Sequence, residues 1–161
     1  WATEACTLII GDYNGQAVLV SEAKWRSDGT VPLAPNARQA LDSYLGWCVG
    51  KGFDTISGEP LFRSLSRNGY GNRLGYWGIY EMIKDLGAIT ESTENVHPHR
   101  LRHTFGTQLV MNDMSPDYVR KLMRIKSPVT SERYTKRALE KKADDAYNEL
   151  FERSESGNGL F

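Results

Sequence analysis

Apolar residues recur along the chain with two periods, one helical and one extended. Ala2, Ala5, Cys6 and Ile9 return at helical spacing before Gly11-Asp12, which predicts the end of a helix over residues 1–9. After the Asn14-Gly15 turn signal comes the run Gln16-Ala17-Val18-Leu19-Val20, and Ser27-Asp28-Gly29 turns the chain into Thr30-Val31-Pro32-Leu33. Together they predict a small antiparallel sheet with Lys24, Trp25 and Arg26 around its hairpin.

From Pro35 the period is helical, with Ala37, Leu41, Tyr44, Leu45 and Cys48 on one stripe and Gly50-Lys51-Gly52 ending it. Residues 53–75 read as loop, rich in glycine, with Leu61-Phe62 pinning it to the core. A helix is predicted from Tyr76 to Leu86, stopped by Gly87, and a polar connector follows over residues 90–96. Pro98 suits the first turn of the next helix, in which Leu101, Phe105 and Leu109 form an i, i+4, i+8 core stripe. Ser115-Pro116-Asp117 is a helix start, and Val119, Leu122 and Met123 supply its buried face. Pro128 breaks that helix. A last amphipathic helix is predicted from Ala138 to Phe151 through Leu139, Ala143, Ala146, Tyr147 and Leu150, followed by a loose tail from residue 152. The expected fold is mainly α with a small antiparallel β-sheet near the N-terminus.

Composition adds limits. The 161 residues are 40% hydrophobic, enough for one domain, and 4 Trp, 8 Tyr and 5 Phe supply anchors that a disordered chain lacks. No window approaches the roughly 18 uninterrupted apolar residues of a membrane span. The opening Trp1-Ala2-Thr3-Glu4 carries neither an initiator Met nor a signal-peptide layout, which suggests a fragment. Two cysteines, Cys6 and Cys48, are too few for a disulfide framework and point to a reducing compartment, so a cytoplasmic location is expected.

Charge changes the picture only when it is divided by position. The 20 Lys+Arg cancel the 20 Asp+Glu, but residues 97–137 hold 9 Lys/Arg against 3 Asp/Glu, while residues 1–96 hold 8 against 11 and residues 138–161 hold 3 against 6. The middle block, which also holds His97, His99 and His103, suits either a phosphate-binding surface or a solvated, salt-bridged helix face.

That block contains His97-Pro98-His99-Arg100-Leu101-Arg102-His103-Thr104-Phe105-Gly106-Thr107. His99 and Arg102 lie three apart, on one helix edge opposite the Leu101/Phe105 stripe, where a guanidinium fork and an imidazole can hold a phosphate. His99 and His103 also stand at i, i+4, but Arg100 replaces the glutamate of H-E-x-x-H, and no metal or other cofactor is expected. Tyr134 follows Arg102 by 32 residues, within Thr130-Ser131-Glu132-Arg133-Tyr134-Thr135.

With these residues the chain resembles the catalytic domain of the tyrosine recombinases, or phage integrase family. The family's H-x-x-R box reads His99-Arg100-Leu101-Arg102 inside a P-H-x-L-R-H-T-F setting, and its nucleophile box holds Tyr134. The family lysine, on a β-hairpin ahead of a V-P-L strand, matches Lys24 before Val31-Pro32-Leu33. Two positions depart. The first-box pattern aligns Glu4, Leu8 and Asp12 and sets Trp1 where the first arginine belongs, so that arginine is either replaced or one residue upstream. The third-box histidine or tryptophan falls on Ile125, with Lys126 or Arg124 as substitutes.

The resemblance implies that Tyr134 attacks a DNA phosphodiester to form a 3′-phosphotyrosyl bond, with His99 as general base or phosphate ligand, Arg102 clamping the non-bridging oxygens and Lys24 protonating the 5′-oxygen. Arg26, Arg100, Arg124 and Arg133 are further candidates for DNA contact. It also implies a double-stranded recombination site as partner, a homotetramer of the recombinase on DNA with the isolated fragment monomeric, and room for accessory DNA-bending proteins. Residues 1–151 would be the catalytic domain, with the N-terminal DNA-clamping domain outside this chain, weak DNA binding by the fragment, and a nucleoid-associated location in a bacterial host. Residues 138–151 could pass to a neighbour or pack in cis. The competing functions are type IB topoisomerase-like relaxation and a catalytically impaired, recombinase-derived DNA-binding protein.

Overall fold

A computed structural model describes residues 1–21, 29–90, 95–125 and 127–153. The chain forms two compact units, Trp1–Arg100 and Leu101–Phe161.

The first unit opens with α1 (Ala2–Thr7) and a 3-10 turn at Ile10–Asp12, then pairs β1 (Ala17–Val20) with β2 (Gly29–Pro32) as an antiparallel ribbon. Val18 lies opposite Val31 and Val20 opposite Gly29. Val18 and Val20 are buried on one face while Leu19, on the other, is exposed, as a half-buried strand requires, and the small Ala17 is buried as well. The hairpin residues Lys24, Trp25 and Arg26 lie outside the described residues. The helix α2 (Pro35–Gly50) has Pro at its first position, which needs no N–H there, and ends where predicted. Its Leu41, Tyr44 and Leu45 join Leu8, Val18, Val20 and Leu61 in one core, while Cys48 is 2% exposed. Ala37, placed on the same stripe by its spacing, is exposed.

The loop over residues 53–75 is more ordered than its glycines suggest. Leu61, 1% exposed, is the expected pin, and its N–H donates to the Leu8 carbonyl at 3.0 Å. Beyond it the chain doubles back so that Arg63 faces Arg73, with the Ser64 N–H donating to Asn72 O at 2.7 Å. Arg73 reaches across to the carbonyls of Cys6 and Leu8 at 3.0 and 2.9 Å, closing the C-terminal end of α1. Arg63, whose side chain is 8% exposed, donates to Gly71 O at 2.8 Å, to Glu59 Oε2 at 2.9 Å and to the Asp54 carbonyl, and it lies over the Phe53 ring. Truncating it removes three hydrogen bonds and the contact with the Phe53 ring at once. Arg63→Ala is expected to lower the unfolding free energy by about 2–4 kcal/mol in urea denaturation; a loss below about 1 kcal/mol would mean that Leu61 alone holds the loop.

The helix α3 (Tyr76–Ile89) packs on α1 and runs through Gly87 instead of stopping there. Gly87 is a close-approach position: a Cβ there would stand 2.7 Å from the Cβ of Val96. The helix ends at Thr90, whose hydroxyl donates to the Leu86 and Gly87 carbonyls.

The helix α4 (Pro98–Met111) begins in the first unit and belongs to the second from Leu101 onward. In the second unit α5 (Pro116–Leu122) starts at Ser115, whose hydroxyl accepts from the Tyr118 N–H, and packs against α6 (Pro128–Arg153). Val119, Met123 and Tyr134 form its core with Leu109, Val110, Met114 and Ile125 around them. Two expectations are corrected here. Leu101 and Phe105 are not core but 48% and 54% exposed, and α4 turns the side carrying Gly106, Thr107, Leu109 and Val110 inward. On that side Arg102 donates to the Met123 carbonyl and His103 packs on the Tyr134 ring, which offsets the cost of turning them inward. The last helix begins at Pro128, ten residues earlier than its apolar stripe suggests, because proline at a first helical position starts a helix as readily as it ends one. The stripe itself, Leu139, Tyr147 and Leu150, is 60–66% exposed.

Candidate active site

Tyr134 lies in the second turn of α6 and is 3% exposed. Its ring rests in a notch that α4 provides by having no side chain at Gly106. A Cβ at that position would come within 2.9 Å of the tyrosine Cδ1 and Cε1 and 2.7 Å of Met123 Sδ. His103, one helical turn before Gly106, packs its imidazole against the phenol ring with centroids 5.4 Å apart at 48°. Arg102 donates from Nη2 to the carbonyl of Met123, the residue that caps α5. The H-x-x-R box and the nucleophile box are thus joined in the second unit through Arg102, His103, Gly106, Met123 and Tyr134.

The notch makes a definite expectation. Gly106→Ala should destabilise the second unit by about 1–3 kcal/mol, since Tyr134 must shift to admit the methyl group, and nitration of Tyr134 by tetranitromethane, followed by mass spectrometry, should accelerate. Unchanged nitration would mean that the flexible Met123 thioether absorbs the methyl group alone.

His99 stands in the first turn of α4, three positions before Arg102, and is exposed. Its imidazole stacks on the indole of Trp1, with ring centroids 5.7 Å apart and planes at 23°. Trp1 is therefore the side chain found beside the box histidine from the position that the first-box pattern assigns to an arginine. Glu4, the acid of that pattern, is buried in α1 at 6% exposure.

The third-box positions diverge. Ile125 packs into the core formed by Val119, Met123 and Tyr134. Arg124, half-buried, takes a left-handed backbone with φ of 53°, in the tight turn where the Ile125 N–H donates back to Arg120 O at 2.9 Å. Lys126, Lys24 and Arg26 lie outside the described residues. Among the remaining DNA-contact candidates, Arg133 is exposed and Arg100 half-buried. Sequence reasoning passed over Gly106, although a side-chain-free residue inside a helical box is itself a sign of close approach. Both cysteines are free; burial pushes the Cys6 thiol pKa up, away from a reactive thiolate. Among the described residues no group of three His, Cys, Asp or Glu side chains could hold a metal ion, and no helix is long and apolar enough to cross a membrane.

The model of the phage integrase family matches residues 2–141. The chain belongs to this family. Among curated members it is 32% identical over 124 residues to the tyrosine recombinase XerC of Lacticaseibacillus casei, covering 77% of this chain and 41% of that protein. It is also 32% identical over 106 residues to the tyrosine recombinase XerD of Bifidobacterium longum, covering 65% of this chain and 34% of that one. The chain thus spans well under half the length of these relatives. Among solved structures, the XerA recombinase superposes with a TM-score of 0.74 at 27% identity, covering 91% of this chain and 51% of that chain. The XerH site-specific recombinase, solved in a post-cleavage complex with its palindromic difH substrate, shares the fold, with a TM-score of 0.67 at 22% identity and coverage of 89% of this chain and 40% of that chain. The mainly helical architecture with one small ribbon is therefore that of phage integrase family catalytic domains.

Proposed function

We propose that this chain is the catalytic domain of a site-specific tyrosine recombinase that cleaves and rejoins double-stranded DNA. The observation that carries the reading is the packing of the nucleophile-box Tyr134 against the H-x-x-R helix, in a chain whose family match spans residues 2–141. The Tyr134 oxygen attacks the scissile phosphorus in line. The phosphorus–O3′ bond of the cleaved strand is kept, the bond to O5′ breaks, and a 3′-phosphotyrosyl ester forms while a 5′-hydroxyl leaves. The ester stores the energy of the broken bond, so a 5′-hydroxyl can reverse the step on the same or a partner strand without ATP.

A phenol with an ordinary pKa of about 10 needs help losing its proton at neutral pH. His99 accepts that proton or holds the phosphate. Arg102 places its guanidinium fork on the non-bridging oxygens, where charge builds in the transition state. Lys24 delivers a proton to O5′, as a side-chain ammonium is able to do. Because Tyr134 is buried in the Gly106 notch, cleavage begins with its ring leaving that notch. Arg100, Arg124, Arg133, Lys126 and Arg26 supply phosphate contacts. Exchange between two duplexes needs four protomers, and the exposed Leu139, Tyr147 and Leu150 of α6 are the face a neighbouring copy would take.

The test is adduct formation on a nicked suicide duplex, in EDTA, by protein that carries its native residues upstream of Trp1. A covalent complex that survives SDS is the expected result. Binding without an adduct would leave a recombinase-derived DNA-binding protein, and relaxation of supercoiled DNA without strand exchange would favour the topoisomerase-like reaction.

A further inference from the structure

We propose that Trp1 is a positioning residue for the reaction: its indole holds the imidazole of His99 in one plane. The two rings are stacked, with centroids 5.7 Å apart and an angle of 23° between their planes. His99 stands in the first turn of α4 and is exposed, and the terminal torsion of an imidazole is broad and roughly two-fold. A flat aromatic neighbour on one face narrows that torsion without occupying either ring nitrogen. Trp1 is suited to this. It immediately precedes α1, which is packed on α3, and its side chain is 36% exposed, so one indole face covers the histidine while the residue stays anchored to the helical layer.

The role differs from that of an arginine in the same box. An indole offers a single N–H and no charge, so it cannot replace a guanidinium on a phosphate oxygen. It acts through His99, whether His99 serves as base or as phosphate ligand. The proposal rests on the assignment of His99 to the reaction centre, and the experiment separates the two.

Single-turnover cleavage of the suicide duplex is measured for protein with its native upstream residues and for Trp1→Ala, Trp1→Phe, His99→Ala and the double variant Trp1→Ala/His99→Ala. Loss of the stack is expected to slow cleavage about tenfold, as small misplacements of reacting groups do, with DNA affinity unchanged. Trp1→Phe, which keeps a flat ring, should recover most of that loss. In the His99→Ala background Trp1→Ala should add less than about twofold, because residues acting as one unit are not additive. In the NMR spectrum of the 161-residue chain, Trp1→Ala should move the His99 ring protons downfield as the indole ring current disappears, which also reports that the variant is folded. If His99→Ala leaves cleavage unchanged, the assignment of His99 fails. If His99→Ala slows cleavage but Trp1→Ala does not, or slows it equally in both backgrounds, the positioning role is overturned. Unmoved His99 resonances would remove the stack itself.

Discussion

Replacing Tyr134 with phenylalanine is expected to abolish the SDS-resistant DNA adduct and lower strand cleavage by about four orders of magnitude or more, the scale set by loss of a catalytic nucleophile. The fold should survive. Phenylalanine retains the ring that fills the Gly106 notch and meets His103 and Met123, so unfolding free energy should change by less than about 1.5 kcal/mol. The two readouts belong together because Tyr134 has two roles, a core side chain at 3% exposure and the proposed attacking group. Adduct formation by a folded Tyr134→Phe protein would show that another residue attacks. A protein that fails to fold would reveal a structural role for the hydroxyl beyond the packing of the ring.

Arg102→Ala carries the second large effect. Removal of one donor from a transition-state oxyanion typically costs about 10²- to 10³-fold in rate, and that loss is expected in single-turnover cleavage. Arg102 also ties α4 to the Met123 carbonyl at the end of α5, so the same substitution should lower stability by about 1–2 kcal/mol. Arg102→Lys separates the contributions. An ammonium keeps the charge but not the planar fork, and it should restore part of the stability and little of the rate. If cleavage by Arg102→Ala returned to normal wherever the protein was fully folded, the guanidinium would be a structural tie and nothing more.

Both residues were legible in the chain as chemistry, but their surroundings were not. The Ser115 cap, the α2 stripe from Leu41 to Cys48 and the Leu61 pin followed from local rules and appear as expected, whereas Ala37 at the head of that stripe is exposed. Leu101 and Phe105 illustrate the failure. A helical period identifies a stripe, but it cannot say that the opposite side, bearing Arg102, His103 and Gly106, faces the unit's core, because the partners that make those polar residues inexpensive to bury come from α5 and α6. Gly87 failed for a related reason. A glycine near a predicted helix end looks like a stop, whereas here it admits Val96, a neighbour that only the folded chain supplies.

What the sequence determined by itself was the inventory and its order: a helical chain with one early ribbon, a basic block concealed by zero net charge, and an H-x-x-R box followed by Tyr134 at the spacing of the phage integrase family. These are properties of neighbouring residues and of fixed distances along the chain. The tertiary structure decided which side of α4 turns inward, that Tyr134 rests buried against Gly106, that Ile125 joins the core, and that Trp1 lies on His99. Each of these depends on atoms brought together from distant segments, and a notch made by a missing side chain leaves no periodic trace in the sequence.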